Sequence, residues 1–182
     1  MKQLCIFVLI ALVPSLGLAF PGEVIQVKDG DTVVVVRGTE AITCRLYGID
    51  APETAKGRKP GQPWGREAAG MLKSLVENCV VGVELMGSQT YGREVVRLWI
   101  KDRDLNLEMV RRGMAWAYVQ YLRRAHASEY LEAEEKARKG RVGLWVQVNP
   151  LPPWEFRRGL QGRHRLFRKV MFGRLEQSVS PK

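Results

Sequence analysis

The run Thr32–Arg37 (TVVVVR) is closed on both sides by turn signals, Asp29-Gly30-Asp31 before it and Gly38-Thr39 after it. Such a short, β-branched segment reads as a strand. Its neighbours read the same way. Glu23–Lys28 alternates as an opening strand, and Ile42–Ile49 returns as a third. The next segment, AKGRKPGQP (Ala55–Pro63), carries two glycines, two prolines and three basic residues, and it predicts an exposed loop. In Gly65–Asn78 the residues Ala68, Met71, Leu72, Leu75 and Val76 fall on one face at helical spacing. Val80–Met86 and Glu94–Lys101 are two further strands, joined by GSQTYGR. Five strands with a helix inserted after the third predict an α+β chain that is mainly β, a small barrel of the oligonucleotide/oligosaccharide-binding (OB) kind. Two helical segments follow, one capped by Asp104 and stopping at Gly113, one running from near Ser128 to Gly140. The total is about three helices. The chain has no internal repeat and no low-complexity stretch.

A length of 182 residues suggests one domain with additions. Residues 1–19 have the layout of an export signal: Lys2, the apolar run LCIFVLIALV, then Gly17-Leu18-Ala19. The alternative is an uncleaved anchor, but the apolar run is short for a span and Pro14 interrupts it. The expected organisation is a signal peptide over 1–19, a folded domain over 20–145 and a basic Pro/Arg-containing tail over 146–182, in a protein exported to the periplasm or the medium. Cys44 and Cys79 then remain. An oxidising compartment permits them to pair, and two small buried hydrophobes is the other reading. His126 and His164 lie far apart in sequence and no CxxC occurs, which argues against a histidine base or a zinc cluster. The formal charge is +10, and Val146–Lys182 holds eight Lys/Arg against two Glu. A tail so basic suits a polyanion, either nucleic acid or an anionic envelope surface, and also suits plain solubility. Trp154 and Phe156 could dock it onto the body.

The chemistry concentrates where strands end. Two carboxylates flank Gly30, and Asp50 and Glu53 follow the third strand. Asp-Gly is ordinary turn chemistry. Neighbouring strands would nevertheless bring these carboxylates together, and hard cations such as Ca²⁺ take several oxygen ligands. Arg45, mid-strand, shares a face with Tyr47 and Ile49 in an alternating pattern, opposite Cys44 and Leu46. Its guanidinium is either an edge charge or a fork for a phosphate, and Arg93 after the Tyr91-Gly92 turn offers a second fork.

Taken as a set, Asp31, Arg45, Asp50, Glu53 and Arg93 resemble the staphylococcal-nuclease (thermonuclease) family. DGDT, CRLYGIDAPET, WGREA and YGR stand in that family's order, and VRRGMAWAY and ARKGRVGLW are similar too. The resemblance covers about residues 23–145. It implies a five-stranded OB barrel and a Ca²⁺-dependent phosphodiesterase acting on DNA and RNA with little sequence specificity and leaving 3′-phosphate ends. Asp31 and Asp50 would hold the metal with the backbone carbonyl of Ala51. Glu53 would orient or deprotonate the attacking water, and Arg45 and Arg93 would clamp the phosphate. Tyr91, which abuts Arg93, would contact the nucleotide. Trp116, Tyr118 and Tyr121 interleave with Arg123 and Arg124, a pattern that can stack bases and hold phosphates and makes Tyr118 and Tyr121 candidate substrate contacts; for Trp116 and Tyr118, filling the core beneath the last helix is the competing reading. No stable protein partner is implied, and a monomer is expected. The chain departs from the family pattern at Gln89, where an Asp is common, and at Thr90, where secreted members carry a basic residue. Its Cys79–Arg93 connection also looks shorter, which could displace Arg93. The competing functions are a non-catalytic nucleic-acid-binding OB module and an adhesin acting through the tail.

Overall fold

The computed structural model describes residues 19–159. Nearly all of the predicted export signal, and the tail from residue 160, lie outside the described residues. In chain order the elements are strands β1 (Ala19–Asp29), β2 (Thr32–Arg37), β3 (Glu40–Leu46) and β4 (Ile49–Asp50), helix α1 (Gly65–Val76), strands β5 (Val80–Thr90), β6 (Arg93–Ile100) and β7 (Arg103–Asp104), helix α2 (Leu105–Arg111), strand β8 (Trp116–Ala117) and helix α3 (Arg124–Lys139). Short 3-10 turns cover Val119–Tyr121 and Gly143–Val146. A further helical segment begins at residue 153 and continues to residue 159.

Five of the strands form a mixed barrel. They are ordered β3-β2-β1-β5-β6, with β7 extending the β6 edge. The barrel closes where β3 pairs in parallel with β6 through Cys44↔Glu94, Arg45↔Val95 and Leu46↔Val96. Closure leaves this sheet few open edges. β1 is longer than the predicted Glu23–Lys28 because it serves two neighbours. Its first half, Ala19–Glu23, pairs with β5, and Glu23–Asp29 pairs with β2. Register shifts at Val24/Gln26 and Val27/Asp29 bend it between the two.

Inward-facing side chains fill the barrel. Val33, Val35, Cys44, Leu46, Val81, Val83, Val96 and Leu98 are all essentially inaccessible, and Leu72 of α1 is buried in the same core. Burial of each large aliphatic side chain is worth about 1.5–3 kcal/mol. Cys44 belongs to this core and Cys79 is half-buried beyond it, and the two are not bonded.

Three sequence expectations change. Strand three does not run to Ile49: it ends at Leu46, and Gly48 at φ 73 turns the chain before β4 pairs with β8. The turn ends the alternation, so Tyr47 and Ile49 are buried and do not share Arg45's polar face. Most of GSQTYGR is strand. β5 reaches Thr90 across an irregularity between Leu85 and Gln89, and only Tyr91-Gly92 form the turn, both at positive φ as a tight hairpin demands. Helix α3 starts at Arg124, a turn before Ser128.

One buried polar residue ties barrel and helices to the future site. Asn106, inaccessible in α2, accepts from Leu98 N (3.1 Å) and donates to the carbonyls of Tyr47 and Val96 (3.0 Å each). These bonds satisfy the backbone where β3 breaks, and so fix the turn that leads to Asp50.

Candidate active site

Gly30 sits between two aspartates, and the reason for a glycine there is space. A Cβ on it would stand 2.7 Å from the Cβ atoms of both Ala51 and Ala68. Its φ is not in the left-handed region. The β1–β2 turn is therefore pressed against the Asp50–Ala51 segment and α1. That approach lets Asp31, only 4 % exposed, accept the Ala51 N–H at 3.0 Å on Oδ2. Its Oδ1 accepts the Thr32 hydroxyl (2.8 Å) and Arg45 Nη1 (3.2 Å).

Arg45 spans the two aspartates. Nη2 reaches Asp50 Oδ1 at 2.7 Å while Nη1 holds Asp31. Burial works against the guanidinium's charge, yet Asp31 and Asp50 outweigh it and hold its pKa above the ordinary value. Asp50 is completely inaccessible. Beside Asp31, burial and the Asp31 charge raise the Asp29 carboxyl, and its bond to Lys56 opposes them.

Glu53 lies in the loop after β4, its side chain 27 % exposed. The loop is held against the start of α1: Gln62 N donates to Glu53 O at 2.8 Å, and a Cβ on Gly65 would fall 2.2 Å from that carbonyl. Arg93, the first residue of β6, donates through Nε to Thr90 O (3.2 Å) and through Nη1 to the Thr32 hydroxyl (3.4 Å). Thr32 in turn bonds Asp31, so the long hairpin delivers Arg93 to the carboxylates despite its short connection. Gln89 donates to Glu94 across the same hairpin.

Asp29, Asp31, Arg45, Glu53 and Arg93 line one open cleft of about 790 Å³, and the inaccessible Asp50 is bonded to Arg45 of that lining. Tyr91 stands 96 % exposed at the hairpin tip, Tyr121 is exposed, and Tyr118 is partly buried on the opposite wall. Trp116 goes to the core. It packs edge-on to Trp145 at 4.4 Å, and Arg138 lies over both rings. Arg123 serves the fold through its N–H to Tyr47 Oη and its Nη2 to Met86 O.

The sequence reading missed Arg157. It comes from the helical segment at 153–159, and its guanidinium enters the cleft. Nη2 meets Asp50 Oδ2 at 2.7 Å, and Nη1 meets Glu53 Oε1 at 2.7 Å and Asp50 Oδ1 at 3.1 Å. Burial opposes the charge, but Asp50 and Glu53 raise the pKa above the ordinary arginine value. Trp154, one turn earlier, stacks on Tyr118 with planes 5° apart and centroids 5.2 Å apart. The signal was present in PPWEFRRG. Pro153 suits a first helical turn, and positions 154 and 157 then share a face.

A hard divalent cation fits this donor set. Asp31 and Asp50 are joined by one guanidinium, Ala51 is hydrogen-bonded to Asp31, and Asp50 with Glu53 already grips a second cationic group. No group of three or more His, Cys, Asp or Glu side chains is poised for a metal among the described residues. A hard cation held by Asp31 and Asp50 would draw its remaining oxygen ligands from backbone carbonyls and water.

Residues 43–147 match the family described as staphylococcal nuclease homologue. The chain is 36 % identical over 160 residues to a micrococcal nuclease of Shigella flexneri, covering 83 % of this chain and 87 % of that protein. It is 37 % identical over 137 residues to an uncharacterized endonuclease of Haemophilus influenzae, covering 75 % and 72 %. An uncharacterized endonuclease of Escherichia coli O157:H7 is 36 % identical over 146 residues, covering 79 % and 89 %. With that match laid over a closed barrel and a cleft of strand-end carboxylates and arginines, the chain belongs to the staphylococcal nuclease homologue family.

Proposed function

We propose that this protein is a Ca²⁺-dependent nuclease that hydrolyses phosphodiester bonds of DNA and RNA with little sequence preference and leaves 3′-phosphate ends. The observation that carries the reading is that Asp31, Arg45, Glu53 and Arg93 line one cleft, with the buried Asp50 bonded to Arg45. Residues 1–19 support its export.

In this reading Asp31, Asp50 and the Ala51 carbonyl would hold the metal, which would supply positive charge to stabilise the phosphate. Arg45 bridges the two aspartates and lines the cleft, where its guanidinium would meet the phosphate. Arg93 offers its guanidinium from the neighbouring strand. Both stabilise charge that grows on the equatorial oxygens during in-line attack, more in the transition state than in the ground state. Glu53 accepts a hydrogen bond from the attacking water and takes its proton as the new O–P bond forms. The bond from phosphorus to the 5′-oxygen breaks, and the leaving oxygen collects a proton from solvent. Exposed Tyr91 and Tyr121 give bases a surface for stacking, which suits a sequence-tolerant enzyme.

The test is cleavage of single-stranded DNA by the full chain with Ca²⁺, with chelator, and with Glu53→Gln. Cleavage should need Ca²⁺ and fall by about 10²–10⁴-fold in the variant. Salt-sensitive binding without cleavage would instead support the non-catalytic OB module.

A further inference from the structure

The segment at 153–159 lies past the family match, which ends at residue 147. Its contacts nevertheless converge on the cleft. Arg157 takes Asp50 and Glu53, Trp154 covers a face of Tyr118, and the Leu151 carbonyl accepts a hydrogen bond from Gln62, the residue that braces the Glu53 loop. Trp154 also packs edge-on against Trp116, which anchors the segment to the body. Tails held only by general charge attraction do not make this set of bonds: the fork is bidentate on Asp50, and its Nη1 also reaches the glutamate.

We propose that Arg157 is a tethered cation that latches the cleft, occupying the Asp50–Glu53 oxygens until a divalent cation displaces it. This rests on the proposed metal-dependent reading of the same site. A divalent cation and Arg157 compete for these oxygens. While Arg157 is seated, Asp50 has both oxygens engaged and Glu53 lacks a free Oε1 for water. Asp31 is left out of the latch and bonds Arg45, Thr32 and Ala51 instead, so exchange of Arg157 for an ion leaves these bonds in place. The Arg157 side chain is 35 % exposed, against 15 % for Arg45. Arg157 is therefore the guanidinium that water and ions can reach and exchange, while Arg45 stays built into the floor. Release of Arg157 also frees Trp154's partner, Tyr118, on the cleft wall. Cation binding and opening of the substrate wall thus become one event. A ligand shifts such an equilibrium by the difference in its affinity for the two states, so the seated latch must weaken apparent cation affinity.

The experiment is calorimetric titration of Ca²⁺ into the full chain, Arg157→Gln and Arg158→Gln, with hydrogen exchange of the 153–159 backbone read with and without Ca²⁺. Arg157→Gln should bind Ca²⁺ at least tenfold more tightly than wild type, and Arg158→Gln, which removes the same charge from the same segment, should change little. Wild-type 153–159 should exchange faster once Ca²⁺ is bound. Equal affinity in wild type and Arg157→Gln overturns the latch while leaving the nuclease reading intact. An equal gain in both variants overturns it too, since net charge would then suffice. Absence of Ca²⁺ binding in all three proteins removes the metal reading and the latch with it.

Discussion

At the scale of single residues the cleft depends on close approach and on fork geometry. Gly30→Ala places a methyl group against Ala51 and Ala68 and has to push the β1–β2 turn away from the Asp50 segment. Overpacking of this kind costs about 1–3 kcal/mol. Urea unfolding of the variant should show that loss, and a stability equal to wild type would mean the turn has room to yield. Arg45→Lys keeps the charge but loses the fork that spans Asp31 and Asp50. Turnover should drop by about 10²–10³-fold with an unchanged circular dichroism spectrum. Near-normal turnover in Arg45→Lys would show that charge alone is needed there. Asp31, Arg45, Asp50, Glu53 and Arg93 stand out in the sequence as a set, through the family resemblance of the motifs around them, because Asp-Gly taken alone is plain turn chemistry. The reason for Gly30 was not legible. Turn chemistry accounts for a glycine between two aspartates, and only the packed helix α1 shows that volume decides.

At the scale of elements, Asp104 carries more than the cap that the sequence predicts. Oδ1 does cap α2, accepting from Asn106 N at 2.9 Å and Leu107 N at 3.2 Å. Oδ2 accepts Arg97 Nη2 and the Tyr130 hydroxyl, both at 2.8 Å, so strand β6, helix α2 and helix α3 meet on one carboxylate. Asp104→Ala leaves a largely buried guanidinium and a buried phenol without their partner, and breaking such a pair costs about 3–5 kcal/mol. Asp104→Asn keeps an acceptor for the cap and should lose clearly less. Chemical denaturation of the two variants checks the order, and equal losses would mean the cap is the smaller part of the residue's role. The cap was readable from DLNLEMV because it is local. Its other two bonds were not, since they join residues 7 and 26 positions away. The β5 extension escaped for a related reason: Gly87 and Ser88 look like loop residues, and only the pairing of Gln89 and Thr90 with β6, beyond the irregularity that contains them, carries the strand on. The helical segment at 153–159 is short and proline-led, and packing of Trp154 against Tyr118 and Trp116 holds it in place.

At the scale of the whole molecule, the barrel seam makes stability depend on alkaline pH. Cys44 lies where the closure is made, opposite Val33 of β2 on one side and Glu94 of β6 on the other. Burial first, and the Glu94 charge second, push its thiol from 9.0 up to about 11. Tyr130, buried and bonded to Asp104, is shifted in the same direction. In both groups the folded state holds its proton more tightly than the unfolded chain does. Their contribution is fully present below the unfolded pKa. Between pH 9 and about 11 the unfolded thiol has ionised and the folded one has not, so stability falls as pH rises. A shift of that size corresponds to something on the order of 2 kcal/mol. Urea unfolding under reducing conditions at pH 8, 9.5 and 11 should therefore show a decline in wild type that is shallower in Cys44→Ala. The comparison is of slopes, because removing the sulfur also leaves a small cavity that lowers stability at every pH. Tyr130→Phe should flatten the remaining decline, since phenylalanine has no proton to lose. Parallel slopes in wild type and both variants would mean that the seam opens to water before the thiol ionises, and that the barrel is held shut chiefly by its β3–β6 backbone pairing.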